Sequence, residues 1–136
     1  MRDVRIQEWA AVAVTLAGLI GIPVWVASYE KGHDPPDRRV IELTGVKKDG
    51  VWTTEAVTSF NYGLKSFKPA QIRIRPGEKV LLRLTSADVT HGFYVPDLGL
   101  GPYIVEPGHV EEIPFTADTT GVFVYYCTAV CGDCHH

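Results

Sequence analysis

The hydrophobic and polar positions divide the chain into three stretches. From Trp9 to Ser28 there is no charged residue. About twenty apolar residues rising about 1.5 Å each make a helix about 30 Å long, which matches the hydrocarbon thickness of a bilayer. Trp9, Trp25 and Tyr29 stand near its two ends, where aromatic side chains settle at membrane surfaces. The run exceeds the roughly 7–15 apolar residues of a secretory signal and lacks a convincing A-x-A-like cleavage site. A helix apolar on every side also needs more protein around it than a small domain supplies. The pattern predicts a membrane anchor over residues 1–29. Arg2 and Arg5 before the run and Lys31, Arg38 and Arg39 after it nearly balance, so the basic residues alone do not orient it.

Residues 30–39 are polar, with Pro35-Pro36 favouring an extended linker. From Val40 the period changes to two. Val40–Thr44 and Val51–Thr58 read as strands around a turn at Lys48-Asp49-Gly50. Gln71–Arg75 alternates strictly, with Ile72 and Ile74 on one face. After a turn at Pro76-Gly77-Glu78, the stretch Lys79–Ser86 puts Val80, Leu82 and Leu84 on one face. Further strands are expected near Phe93–Val95, Val110–Phe115 and Val122–Tyr126, and no helical pattern follows residue 30. Many short strands between Gly and Pro turns predict an all-β Greek-key barrel or sandwich over residues 40–136, behind one N-terminal transmembrane α-helix.

Composition narrows the function. A net charge of -3 over 136 residues argues against a nucleic-acid partner. All three cysteines crowd between Cys127 and Cys134, beside His135 and His136. A secreted disulfide framework would spread an even number along the chain, so ligation fits better than one disulfide with a spare thiol. The cluster parses in two ways. Cys127, Cys131 and His135 form C-x-x-x-C-x-x-x-H, which suits copper; Cys131, Cys134 and His135 form C-x-x-C-H, a covalent haem c attachment motif. Upstream, the turn Ser86-Ala-Asp88-Val-Thr-His91 lies between two predicted strands. Loops at one pole of a small barrel can bring His91 to Cys127, Cys131 and His135. Imidazole with thiolate suits copper or zinc, although structural zinc more often uses C-x-x-C pairs. His33, alone in the polar stretch, is expected to be solvated.

Read together, Ser86-x-Asp88-Val89-x-His91-Gly92-Phe93, Glu106-Pro-Gly108 and Gly121-Val-Phe-Val-Tyr-Tyr-Cys127-x-x-x-Cys131-Gly132-x-x-His135 resemble the dinuclear copper (CuA) cupredoxin domain of cytochrome c oxidase subunit II and of nitrous oxide reductase. Phe60-Asn-Tyr-Gly63 and Phe67-Lys-Pro69 extend the resemblance over nearly all of residues 40–136, and the single anchor is similar to the one-helix type of oxidase subunit. The resemblance implies that the thiolates of Cys127 and Cys131 bridge two copper ions and that His91 and His135 each cap one. The Ala129 backbone carbonyl becomes a weak axial ligand, and Asp88 supports the site from behind. Many relatives carry Glu at the Ala129 position, where it helps hold magnesium; Ala129 removes that support. The family pattern also places a Met three residues after the second His and then a closing strand. A longer native chain, or a neighbouring subunit covering that sheet edge, is therefore expected.

With every strong position filled by protein, such a site transfers electrons rather than transforming a substrate. The resemblance implies a non-catalytic electron-entry subunit. A soluble cytochrome c or cupredoxin would be its donor, a haem-bearing catalytic membrane subunit its acceptor, and lipid its third partner. The metal domain would face the periplasm, outside the bacterial inner membrane. A tethered carrier for another reductase and a copper chaperone or sensor use the same ligands and stay open. Haem needs a pocket and usually a second axial ligand, and Met1, the only Met, lies across the anchor. On the copper reading Cys134 is not a ligand. Tyr62, Phe93 and Tyr126 are candidates for a donor surface or for packing.

Overall fold

The described residues of the computed structural model are 2–129, without the side chains of residues 2–4, 30 and 31. The chain separates into two units, Met1–Pro35 and Pro36–His136.

The first unit is one helix, α1 (Arg2–His33). Its segment Arg5–Tyr29 has a mean hydropathy of 2.1 and is long and apolar enough to cross a membrane. Within it, the hydroxyls of Thr15 and Ser28 donate to the carbonyls of Ala11 and Val24 at 2.9 and 2.8 Å. Trp25, Tyr29 and His33 lie one turn apart, with ring contacts of 5.8 and 3.9 Å between successive pairs. The helix therefore runs past residue 30, where the sequence suggested an extended linker. Irregular backbone is confined to residues 34–38, around Pro35 and Pro36. Proline restricts the residue before it as well as itself, so the helix stops there rather than where polarity begins.

The second unit holds β1 (Arg39–Val46), β2 (Val51–Thr53), a one-turn helix α2 (Ser59–Tyr62), β3 (Lys79–Ser86), β4 (His91–Val95), a 3-10 turn (Pro96–Leu98), β5 (Leu100–Val105) and β6 (Glu111–Thr116). One sheet has the order β2-β1-β3-β6, and β4 pairs with β5 in a second. β1 and β3 run parallel, with Gly45 opposite Ser86; the other pairings are antiparallel. The core draws on both sheets, through Leu43, Trp52, Val80, Leu84 and Ile113 from the first and Phe93, Val95 and Val105 from the second. On the opposite face of the first sheet, Arg83 reaches Glu42 at 3.2 Å and Glu112 at 2.9 Å. Such exposed pairs bias register more than they add stability.

The all-β expectation holds, with amendments. The strand expected over Val51–Thr58 ends at Thr53, and α2 follows, capped by Thr58. Gln71–Arg75 joins no sheet among the described residues, yet Ile72 and Ile74 are half-buried against the core as their alternation implied. Val122–Tyr126 likewise alternates, and among the described residues it pairs only where Tyr126 bridges Tyr94. β5 was not foreseen, because Gly101-Pro102 reads as a turn.

Candidate metal centre

The site is built from the turn between β3 and β4. Ser86 closes that turn: its hydroxyl donates to the Val89 carbonyl at 2.5 Å and accepts from the Asp88 amide at 3.2 Å. Asp88 then collects four hydrogen bonds. Its Oδ2 accepts from the Tyr62 hydroxyl at 2.5 Å and the Lys47 amide at 2.7 Å; its Oδ1 accepts from the Val89 amide at 2.7 Å and from His91 Nε2 at 2.8 Å. Burial alone would raise the Asp88 carboxyl, but the Tyr62, His91, Val89 and Lys47 donors outweigh it and hold it below its ordinary value. An ionised carboxylate can only accept, so the proton of the His91 ring belongs on Nε2. The Nδ1 lone pair is thereby turned toward Cys127, whose Sγ lies 3.9 Å away.

Two further residues shape the imidazole pocket. His91 is only 2% exposed. Trp52 meets its ring edge-on at a centroid distance of 5.6 Å. On the third side is Gly45 of β1, where a Cβ would stand 2.7 Å from both Cγ and Cδ2 of His91. The pocket exists because β1 carries no side chain there.

The thiolate side is positioned separately. Tyr94 and Tyr126 exchange two backbone hydrogen bonds, of 3.0 and 2.8 Å, immediately before Cys127. Phe93 stacks on Tyr125 at 5.6 Å, and the Tyr125 hydroxyl donates to the Ala70 carbonyl at 2.8 Å. Burial raises the Tyr125 phenol, which keeps it a neutral donor. Gly92 lets the ligand loop lie against β4: a Cβ there would come within 2.8 and 2.7 Å of the Thr128 and Ala129 amide nitrogens. Trp52 Nε1 donates to the Gly92 carbonyl at 3.2 Å, so one residue braces both halves of the site. The Ala129 carbonyl oxygen stands 3.8 Å from Cys127 Sγ.

The structure thus brings together His91, Cys127, the Ala129 carbonyl and Asp88 from the set expected in the sequence. Cys131, Cys134 and His135 lie outside the described residues, and among the described residues no group of three or more His, Cys, Asp or Glu side chains gathers. The donor set fits a soft or borderline metal. Thiolate and imidazole bonds of about 2.3 and 2.0 Å to one ion together exceed the 3.9 Å gap between Sγ and Nδ1, so one ion can touch both. Gly45 and Trp52 were not singled out from the sequence, and Gly92 stood in the motif without a role, although glycine inside a strand pattern is a sign of close backbone approach. Phe93 is core at 1% exposure, whereas Tyr126 is exposed. His33 ends α1, its Nδ1 2.7 Å from the Tyr29 carbonyl.

Two small sheets that share a core and hold a histidine and a cysteine loop at one edge define a cupredoxin-like domain carried on an apolar helix. Residues 45–136 match the model of the family described as cytochrome c oxidase subunit II, periplasmic domain, and the chain belongs to that family. It is 30% identical to cytochrome c oxidase subunit 2 of Alkalihalophilus pseudofirmus over 128 residues, which is 93% of this chain and 36% of that protein. It is 36% identical to nitrous-oxide reductase of Ralstonia nicotianae over 98 residues, or 68% of this chain and 14% of that protein. The chain therefore spans about a third of the first relative and a smaller part of the second. The crystal structure of the periplasmic domain of subunit II of cytochrome oxidase (CoxB) of Bradyrhizobium japonicum shares its fold. That likeness has a TM-score of 0.51 and 21% identity, and covers 73% of this chain and 78% of that one.

Proposed function

We propose that this chain is the electron-entry subunit of a haem-copper terminal oxidase, with a dinuclear copper centre. The observation that carries the reading is the convergence of His91 Nδ1, Cys127 Sγ and the Ala129 carbonyl, with Asp88 holding the far side of the imidazole. Cys131 and His135 complete the ligand set by their spacing in the sequence. Copper held there supplies one-electron transfer. The protein's part is to keep the donors nearly still in both redox states. Trp52, Gly45 and Asp88 immobilise the imidazole, and Gly92 with the Tyr94–Tyr126 bridge fixes the loop. The apolar helix anchors the subunit in a bacterial inner membrane, residues 34–38 join it to the metal domain, and that domain lies on the periplasmic side. The donor is a soluble cytochrome c or cupredoxin, and the acceptor is a haem-bearing catalytic subunit embedded in the same lipid.

Metal analysis with absorption and EPR spectra of the purified chain tests this. Two coppers per chain with a mixed-valence signal delocalised over both are expected. A covalent haem spectrum through Cys131 and Cys134, or a single labile copper, refutes it. The similarity to nitrous-oxide reductase over 98 residues favours one other reading, a tethered carrier for a different reductase. Co-purification of a large haem-bearing subunit supports the first over the second.

A further inference from the structure

The one-turn helix α2 is far more firmly built than its length suggests. Thr58 and Asn61 cap it reciprocally, the Thr58 amide donating to Asn61 Oδ1 at 2.8 Å and the Asn61 amide to Thr58 Oγ1 at 3.2 Å. Asn61 Nδ2 donates to the Ala56 carbonyl at 2.8 Å. Lys48 Nζ holds the last turn through the carbonyls of Tyr62, at 3.1 Å, and Lys65. All of this fixes one polar atom, the Tyr62 hydroxyl, on Asp88 Oδ2. Packing alone does not explain it, because a phenylalanine would fill the same space.

We propose that Tyr62 is a positioning residue of the metal centre, acting through Asp88 to fix the direction and donor strength of His91 Nδ1. The inference rests on the copper reading above. Asp88 spreads its charge over four donors, two on each oxygen. Each donor draws charge away from the others. Without the Tyr62 O–H, Oδ2 keeps only the Lys47 amide, and more charge is left for the bond to His91 Nε2–H. The imidazole becomes the stronger donor, which favours the more positive, oxidised centre. Tyr62→Phe therefore lowers the reduction potential. The carboxylate also loses one of its two restraints on that side, so the ring direction broadens.

The test uses the full chain in detergent, as wild type, Tyr62→Phe, Asp88→Asn and the double variant. Tyr62→Phe is expected to fold and fill with copper when loaded in excess. Its affinity falls about tenfold, as for other groups that orient a ligand. Its potential drops and its EPR hyperfine pattern changes. In the Asp88→Asn background the same substitution shifts neither. In metal-free protein, nitrogen-15 NMR of the His91 ring reads the relay directly: the proton stays on Nε2, and its resonance moves downfield in Tyr62→Phe. An unchanged potential and ring resonance, or equal shifts in both backgrounds, overturns the relay. Wild type that takes up no copper overturns the copper reading instead, while the metal-free ring resonance still decides the relay.

Discussion

Adding one methyl group at Gly45 tests the imidazole pocket most sharply. The new Cβ would stand 2.7 Å from Cγ and Cδ2 of His91 and 3.2 Å from its Cβ. Carbon contacts settle at about 3.5–4.0 Å, so the ring must retreat by about 1 Å. It has nowhere to go. It is 2% exposed, Trp52 backs it, and Asp88 holds Nε2 at 2.8 Å. Overpacking of this kind costs about 1–3 kcal/mol. Gly45 lies within β1 and is not among the positive-φ glycines, so alanine is conformationally allowed there and returns about 0.4–1 kcal/mol through the unfolded chain. The net loss is about 1–2 kcal/mol, or about 5–15 °C in the thermal midpoint of a domain near 100 residues. Differential scanning fluorimetry of the metal-free chain measures that loss, and competitive copper titration measures the accompanying fall in affinity. Gly63→Ala is the control, because nothing lies within 4 Å of its Cβ and its φ of -85° suits alanine. It should stay within about 0.5 kcal/mol of wild type. If Gly45→Ala matches Gly63→Ala in both assays, the claim that the missing Cβ makes the pocket is wrong.

Gly92→Ala drives a Cβ into the backbone of Thr128 and Ala129, so copper content by metal analysis should fall further than in Gly45→Ala; equal retention contradicts the placement of the loop. Trp52→Phe strands the buried Gly92 carbonyl without its Nε1 donor and should cost about 1–3 kcal/mol in guanidinium unfolding, whereas an unchanged midpoint rejects that bond. The carboxyl of Asp88 lies below its ordinary 3.8, so its stabilisation is complete above about pH 4 and is lost as pH falls through the lower folded value. The gap in thermal midpoint between metal-free wild type and Asp88→Asn should therefore close in acid, and a gap that persists unchanged in strong acid counts against it.

Much of the site was legible because ligand chemistry is carried by residue type and order. His91 behind a Ser86–Asp88 turn and Cys127 behind a strand-like run are local signals, and the fold brings them within 3.9 Å. Pairing was less legible than burial. Ile72, Ile74, Phe123 and Tyr125 turn inward as their alternation says, but neither stretch forms a full strand. Alternation reports which face meets the core, whereas a ladder also needs a neighbour in register, and that is settled by the rest of the fold. α2 was invisible for a different reason: four residues show no helical period, and its cap uses Asn61 where Glu or Gln would have been the recognisable partner. At the end of α1, Glu30 and Lys31 read as linker because they are polar, yet both are good helix formers.

The parallel ladder between β1 and β3 makes the two halves of the site open in different ways. Gly45 and Lys47 reach Asp88 and His91 only because Gly45 stands opposite Ser86, a pairing reinforced by the Ala87 amide on the Gly45 carbonyl at 3.0 Å. Exposing the imidazole from that side means parting the central strands of the sheet, which amounts to unfolding the domain. Among the described residues, the thiolate side is held by the Tyr94–Tyr126 bridge and the anchoring of Tyr125. Amide hydrogens of the central ladder should therefore exchange with solvent only at the rate of global unfolding, while that of Tyr126 exchanges through a smaller, local opening. A local opening at Tyr126 would leave the His91 pocket intact.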